Sequence, residues 1–224
     1  MITALKYAAQ AGYILAATQL CPNQKPLEGV SLEFTNAPPV ISNDKTTREL
    51  GAYTISTTFS HSENEIFTVG GLRVADFAPQ YLVTFDLSDA GKNVVCLAPM
   101  RVQLTVRYEP RVMIASEHAP GSCRYKLVLD HEIRHINTDI VTFNEFLPRM
   151  RAALESSLAE IPPIGPMQQS SIEKAKDLLM DRIKAALVHE VKEFQKTRML
   201  RQQLIDTRQQ YMLESRQCPL KNNP

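Results

Sequence analysis

The sequence predicts an α+β fold, with a mostly antiparallel sheet in the amino-terminal half followed by two long antiparallel helices. Two observations carry this. Apolar residues alternate with polar ones in several stretches before residue 116, and recur every third or fourth position after residue 124. Turn signals separate the strands, and the segment Ile161-Pro-Pro-Ile-Gly-Pro166 separates the helices. With 224 residues and 44% hydrophobic content, the chain can bury the core of one domain. We read 1–224 as that domain: 1–43 irregular or an amino-terminal helix, 44–116 the sheet, and 124–215 a helical hairpin.

Taken in order, Lys6 precedes a small and apolar stretch from Tyr7 to Ala17, broken by Gln10 and Gly12. It suits a short amphipathic helix or a weak export signal. Pro22 to Asn43 is rich in Pro and Asn and reads as irregular. Tyr53 to Phe59 alternates as a half-buried strand, and Gly70-Gly71 sits between two apolar runs as a hairpin turn. Tyr81–Asp86 and Val94–Leu97 flank a turn at Asp89–Lys92. Val102, Leu104, Val106 and Tyr108 alternate, Pro110 breaks the run, and Val112–Ala115 forms a further short strand.

Pro120-Gly121-Ser122-Cys123 turns the chain into the first long helix. Leu129, Ile133, Ile136, Ile140, Phe143 and Leu147 form its apolar stripe. His131, His135, Asp139, Thr142 and Phe146 line a neighbouring side, which can face a cleft. Pro148 should kink the helix, although the pattern resumes through Leu154 and Leu158. A second helix of about 40 residues is expected from Ser171 to Ser215, with Met180, Ile183, Leu187, Val191, Phe194, Ile205 and Met212 on its stripe.

Composition narrows the function. The net charge is +1, with acidic and basic residues interspersed, so no nucleic-acid footprint is present. No apolar run approaches the roughly 20 residues of a membrane span. Four cysteines, Cys21, Cys96, Cys123 and Cys218, contain no C-x-x-C pair. Their spread suggests disulfides and a periplasmic or secreted protein, with four reduced thiols as the alternative. The hairpin returns the carboxyl end toward Cys123, which pairs Cys123 with Cys218 and leaves Cys21 with Cys96.

The chemistry rests on His131-Glu132-Ile133-Arg134-His135. On a helix, His131 and His135 lie one turn apart on one face, where both imidazoles can bind one zinc, and Glu132 can reach a metal-bound water. The third ligand is less marked. Asp139 extends the same face, but residues eight apart on a helix are separated by about 12 Å along the axis. It reads as a partner that orients an imidazole or an Arg. Folding the helices back around residue 165 brings residues 190–200 opposite the motif. Glu190 lies there, on an apolar stripe where a lone carboxylate is costly. It is the expected third ligand. The alternative is that Glu190 pairs with Arg134 or with Arg198, Arg201 or Arg208. Glu193, His118 and Glu117 are weaker candidates.

A sheet, then an H-E-x-x-H helix, then a second long helix resembles the zincin metallopeptidases, and a glutamate from a downstream helix would make the chain gluzincin-like. The order Tyr108-x-Pro110, Gly121-Ser122-Cys123 and the His131–His135 motif also resembles bacterial exported proteins of zincin type, over about residues 100–145. The resemblance implies a zinc-dependent peptidase acting on a peptide or protein, with Glu132 as the base. It also implies an oxyanion partner, for which His118, His189, Tyr211 or an Arg of the second helix could serve. Substrate would pair with an edge strand near the motif helix, here Val112–Ala115. The competing expectation is a non-catalytic zincin scaffold whose Arg198, Arg201 and Arg208 face a protein partner.

Overall fold

The computed structural model describes residue 21, residues 27–53 and residues 70–218. Its strands are β1 (Gly29–Asn36), β2 (Val40–Lys45), β3 (Gly71–Gly91), β4 (Val94–Ala115) and β5 (Ile164–Gln168). Its helices are α1 (Thr47–Ala52), α2 (Cys123–Glu160), α3 (Ile172–Ala186), α4 (Val188–Ile205) and α5 (Arg208–Ser215). The expected strand at Tyr53–Phe59, the run before Gly70 and the amino-terminal stretch to Ala17 lie outside the described residues, apart from Tyr53, which caps the end of α1.

The sheet corrects the predicted fold class. It has the strand order β1-β4-β2, and β2 joins β4 in parallel, with Val40 opposite Arg111 and Ile41 opposite Val112. The mostly antiparallel sheet expected from the alternation is therefore not the one formed. Alternation specifies which side chains face a core, but not which strand pairs with which or in which direction. Three further expectations fail. The segment taken as irregular holds β1 and β2, and the loop at Ile161–Pro166 contains the start of β5, which pairs antiparallel with β4. Pro110 does not end its strand, because β4 continues through it to Ala115.

The two long antiparallel helices are also corrected. The first forms as expected: Ser122 Oγ accepts from Tyr125 N at 3.2 Å to cap α2, and the helix continues past Pro148. The second is three helices. Leu187 N–H bonds back to Lys184 O at 3.1 Å, a tight turn between α3 and α4. Thr207 leaves helical geometry and caps α5 by accepting from Gln210 N at 3.2 Å.

The chain divides into two compact units, and β1, β3, β4, α2 and α4 contribute residues to both. In one, Leu97, Ala175 and Leu179 form a core with Phe85, Ile161, Ile164 and Met167. A Cβ on Gly165 would lie 2.8 Å from Val95 O, so only glycine lets β5 approach β4 this closely. In the other, Tyr108, Val112 and Ile114 of β4 pack with Ile136 of α2. Alternation along β4 survives through both units: Val102, Leu104, Val106 and Tyr108 are all buried. Aromatic rings extend the core, with Phe34 and Phe143 centroids 4.4 Å apart and Phe77 edge-on to Phe194 at 5.0 Å. This second unit carries the motif.

Candidate metal centre

The apolar stripe of α2 faces the core, and the neighbouring stripe is buried as well. His131, Glu132, His135, Asp139 and Thr142 are all buried, and Asp139 is fully so. Burying five polar side chains on one helix side is unfavourable unless each finds a partner. For His131, His135, Asp139 and Thr142 partners come from α4, α5 and the segment between them, and Asp139 also meets β3 and β4.

Asp206, at the α4–α5 break, places Oδ1 3.1 Å from His131 Nε2 and 3.0 Å from His135 Nε2. The two Nε2 atoms are 3.1 Å from each other. Ligand atoms around a tetrahedral ion with bonds of about 2.0–2.1 Å sit about 3.3 Å apart. The triangle therefore has nearly the dimensions of one face of such a site, and its two nitrogens and one carboxylate oxygen are a donor set that suits it. His131, His135 and Asp206 form a group that could hold a metal ion.

Glu190, the expected third ligand, is not in that group. Its carboxylate lies 2.9 Å from Arg149 Nε, an ion pair by distance although the N–H is not aimed at the oxygen. The contacts His131–Asp206, His135–Gln202 and Asp139–Arg198 fold the chain about Gln168–Gln169, beyond the Pro-rich loop. The facing window therefore slides toward the carboxyl end. A sequence signal for Asp206 existed: an acidic residue directly before Thr207, an N-cap residue that interrupts a long helical pattern.

Both imidazoles are held from behind. Glu214 lies 3.3–3.4 Å from His131 Nδ1 and pairs closely with Arg134. Gln202 Oε1 contacts His135 Nδ1, while Gln202 Nε2 donates to His135 O at 3.0 Å and to Asp139 Oδ1 at 2.6 Å. Asp139 also receives Arg198 Nε at 2.6 Å, Tyr108 OH at 2.8 Å and a close Arg73 guanidinium. Asp139 thus acts as an orienting group rather than a ligand, as its position eight residues from His131 implied. Burial and the neighbouring Asp139 charge push the Tyr108 phenol upward, so it stays a donor.

Electrostatics follow from this crowding. Burial raises the Glu132 carboxyl above its ordinary value, against the opposing pull of His135, His131 and Arg73. Burial disfavours charge on His131, yet the Asp206 hydrogen bond and the Glu132 and Glu214 charges outweigh it and raise its value. For Asp206, burial is likewise overcome by the two imidazoles and Tyr211, and it stays well below the usual carboxylate range.

Glu132 sits against the first residue of β3. A Cβ on Gly71 would lie 2.4 Å from Val128 Cγ1 and 3.0 Å from Glu132 Oε1, so glycine is required there. Tyr211, one turn into α5, donates to Asp206 Oδ1 at 2.8 Å and has its hydroxyl 3.4 Å from His131 Nε2. His189, another oxyanion candidate, is exposed. His118 is half-buried and lies near Gly70. Arg198 is engaged by Asp139, and Arg201 bonds Thr142 and Glu145. Val112–Ala115 is not an open edge, because β2 pairs along it.

No protein-family model, curated protein or solved structure matches the chain. Two disulfides, Cys21–Cys96 and Cys123–Cys218, join the cysteines as expected and fit an oxidising compartment. Among the described residues no helix is long and apolar enough to cross a membrane.

Proposed function

We propose that the chain is a zinc-dependent peptidase whose ligands are His131, His135 and Asp206. The observation that carries the reading is the triangle of two Nε2 atoms and one carboxylate oxygen, with 3.0–3.1 Å edges, beside a buried glutamate in the His-Glu-x-x-His spacing. A zinc ion there would act as a Lewis acid and bring a water toward a pKa near 7. Glu132 takes a proton from the attacking water and returns it to the leaving amine. The Tyr211 hydroxyl, which donates to Asp206 Oδ1 beside this triangle, would turn to the carbonyl oxygen and stabilise the negative charge that develops there. The peptide lies along β3, whose first residue abuts Glu132 and which, among the described residues, pairs with β4 alone.

Metal analysis of the purified protein beside His131→Ala and Asp206→Ala tests the premise. About one zinc per chain is expected in wild type, with loss in both variants. Hydrolysis of a mixed peptide library by wild type tests the activity. A metal-loaded protein that cleaves no peptide would reject the peptidase reading and leave a metal-holding scaffold.

A further inference from the structure

We infer that Gln202 is a positioning residue that fixes which imidazole nitrogen of His135 faces the metal, by relaying the negative charge of Asp139. The inference rests on the metal reading of this site. The argument is one of donors and acceptors. A glutamine side chain has one end that donates and one that accepts. One end of Gln202 meets two groups that can only accept, the Asp139 carboxylate at 2.6 Å and the His135 carbonyl at 3.0 Å. That end must be the NH2. The other end, Oε1, then faces His135 Nδ1 and can only accept. His135 therefore carries a proton on Nδ1, which leaves Nε2, facing Asp206 and His131, as the nitrogen offered to a metal.

Reversing the amide would set NH2 against Nδ1 and its oxygen against a carboxylate and a carbonyl. Asp139 makes that reversal costly because it is locked in place: fully buried, it is gripped by Arg73, Arg198 and Tyr108. Its charge thus reaches His135 through a neutral amide. His131 is held differently, directly by Glu214. The two imidazoles are consequently supported by different chemistry.

The test uses the folded full chain, with circular dichroism and melting temperature checked for each variant. In metal-free wild type, nitrogen NMR of the imidazoles should show His135 protonated on Nδ1. Gln202→Met keeps the volume but not the polarity. It should mix the His135 tautomers and weaken zinc binding about 10- to 100-fold. Gln202→Glu should also weaken zinc binding, because two carboxylates would then face each other at the 2.6 Å contact. Wild-type His135 without a proton on Nδ1 overturns the inference, as does a Gln202→Glu variant that binds zinc as wild type does. Wild type that binds no zinc overturns the metal reading, whereas the tautomer in metal-free protein judges the relay separately.

Discussion

Asp206 and Glu190 are two carboxylates of the carboxyl-terminal helical region, of which the sequence reading singled out only Glu190, and their surroundings differ. Asp206 shares one oxygen between two imidazoles. Glu190 pairs with a half-exposed Arg149. Glu190→Ala should leave zinc affinity unchanged and lower stability by at most about 1 kcal/mol, read by titration and by melting temperature. Glu132→Gln should keep the metal and lower peptide hydrolysis about 100- to 10,000-fold, because an amide cannot take the proton. Metal content and turnover measured on one preparation check this, and unchanged turnover would place the base elsewhere. Tyr211→Phe removes only a hydroxyl, so it should reduce kcat about 100-fold with little change in KM. A rise in KM alone would make Tyr211 a substrate contact instead.

At the scale of elements, the decisive feature is the break between α4 and α5. A continuous helix would keep Asp206 on a helical path, but the extended Thr207 turns the chain so that Asp206, Tyr211 and Glu214 all face α2. The cap holds that turn. Thr207→Ala should cost about 1 kcal/mol of stability. It should also weaken zinc binding, since α5 carries two residues that contact His131. Wild-type zinc affinity in this variant would show that the disulfide and packing hold α5 without the cap. On α2 the lesson differs. Helical spacing alone identified the core-packing stripe and the polar stripe beside it, because a helix fixes the angular position of every side chain along it; that the polar stripe is buried rather than open to a cleft is a result of the tertiary fold.

At the scale of the molecule, each compact unit holds one disulfide. Cys123–Cys218 closes a separation of 95 residues and ties the end of α5 to the start of α2. Replacing both cysteines by serine should cost about 4–5 kcal/mol on a chain-entropy argument. It should lower zinc affinity along with the melting temperature, because the ligand from the α4–α5 turn is held by the same closure. Replacing Cys21 and Cys96 should lower stability while leaving zinc affinity near wild type. Equal effects of the two replacements on zinc binding would remove this distinction.

The sequence by itself determined the local features: the motif helix with its apolar and polar stripes, the alternation along β4, and the spacing that puts His131 and His135 together. These depend on residues a few positions apart, whose geometry the backbone fixes. It also allowed the cysteine pairs to be inferred, since one return of the chain was enough to match them. The direction of β2 against β4, the strands before Lys45, the breaks in the second helical region and the choice of Asp206 over Glu190 were decided only by tertiary structure. Each depends on where a distant segment comes to rest, and a displacement of a few residues in the fold-back point moves a different carboxylate against the same two histidines. Periodicity cannot register such a displacement, because every turn of a helix offers a face of the same kind.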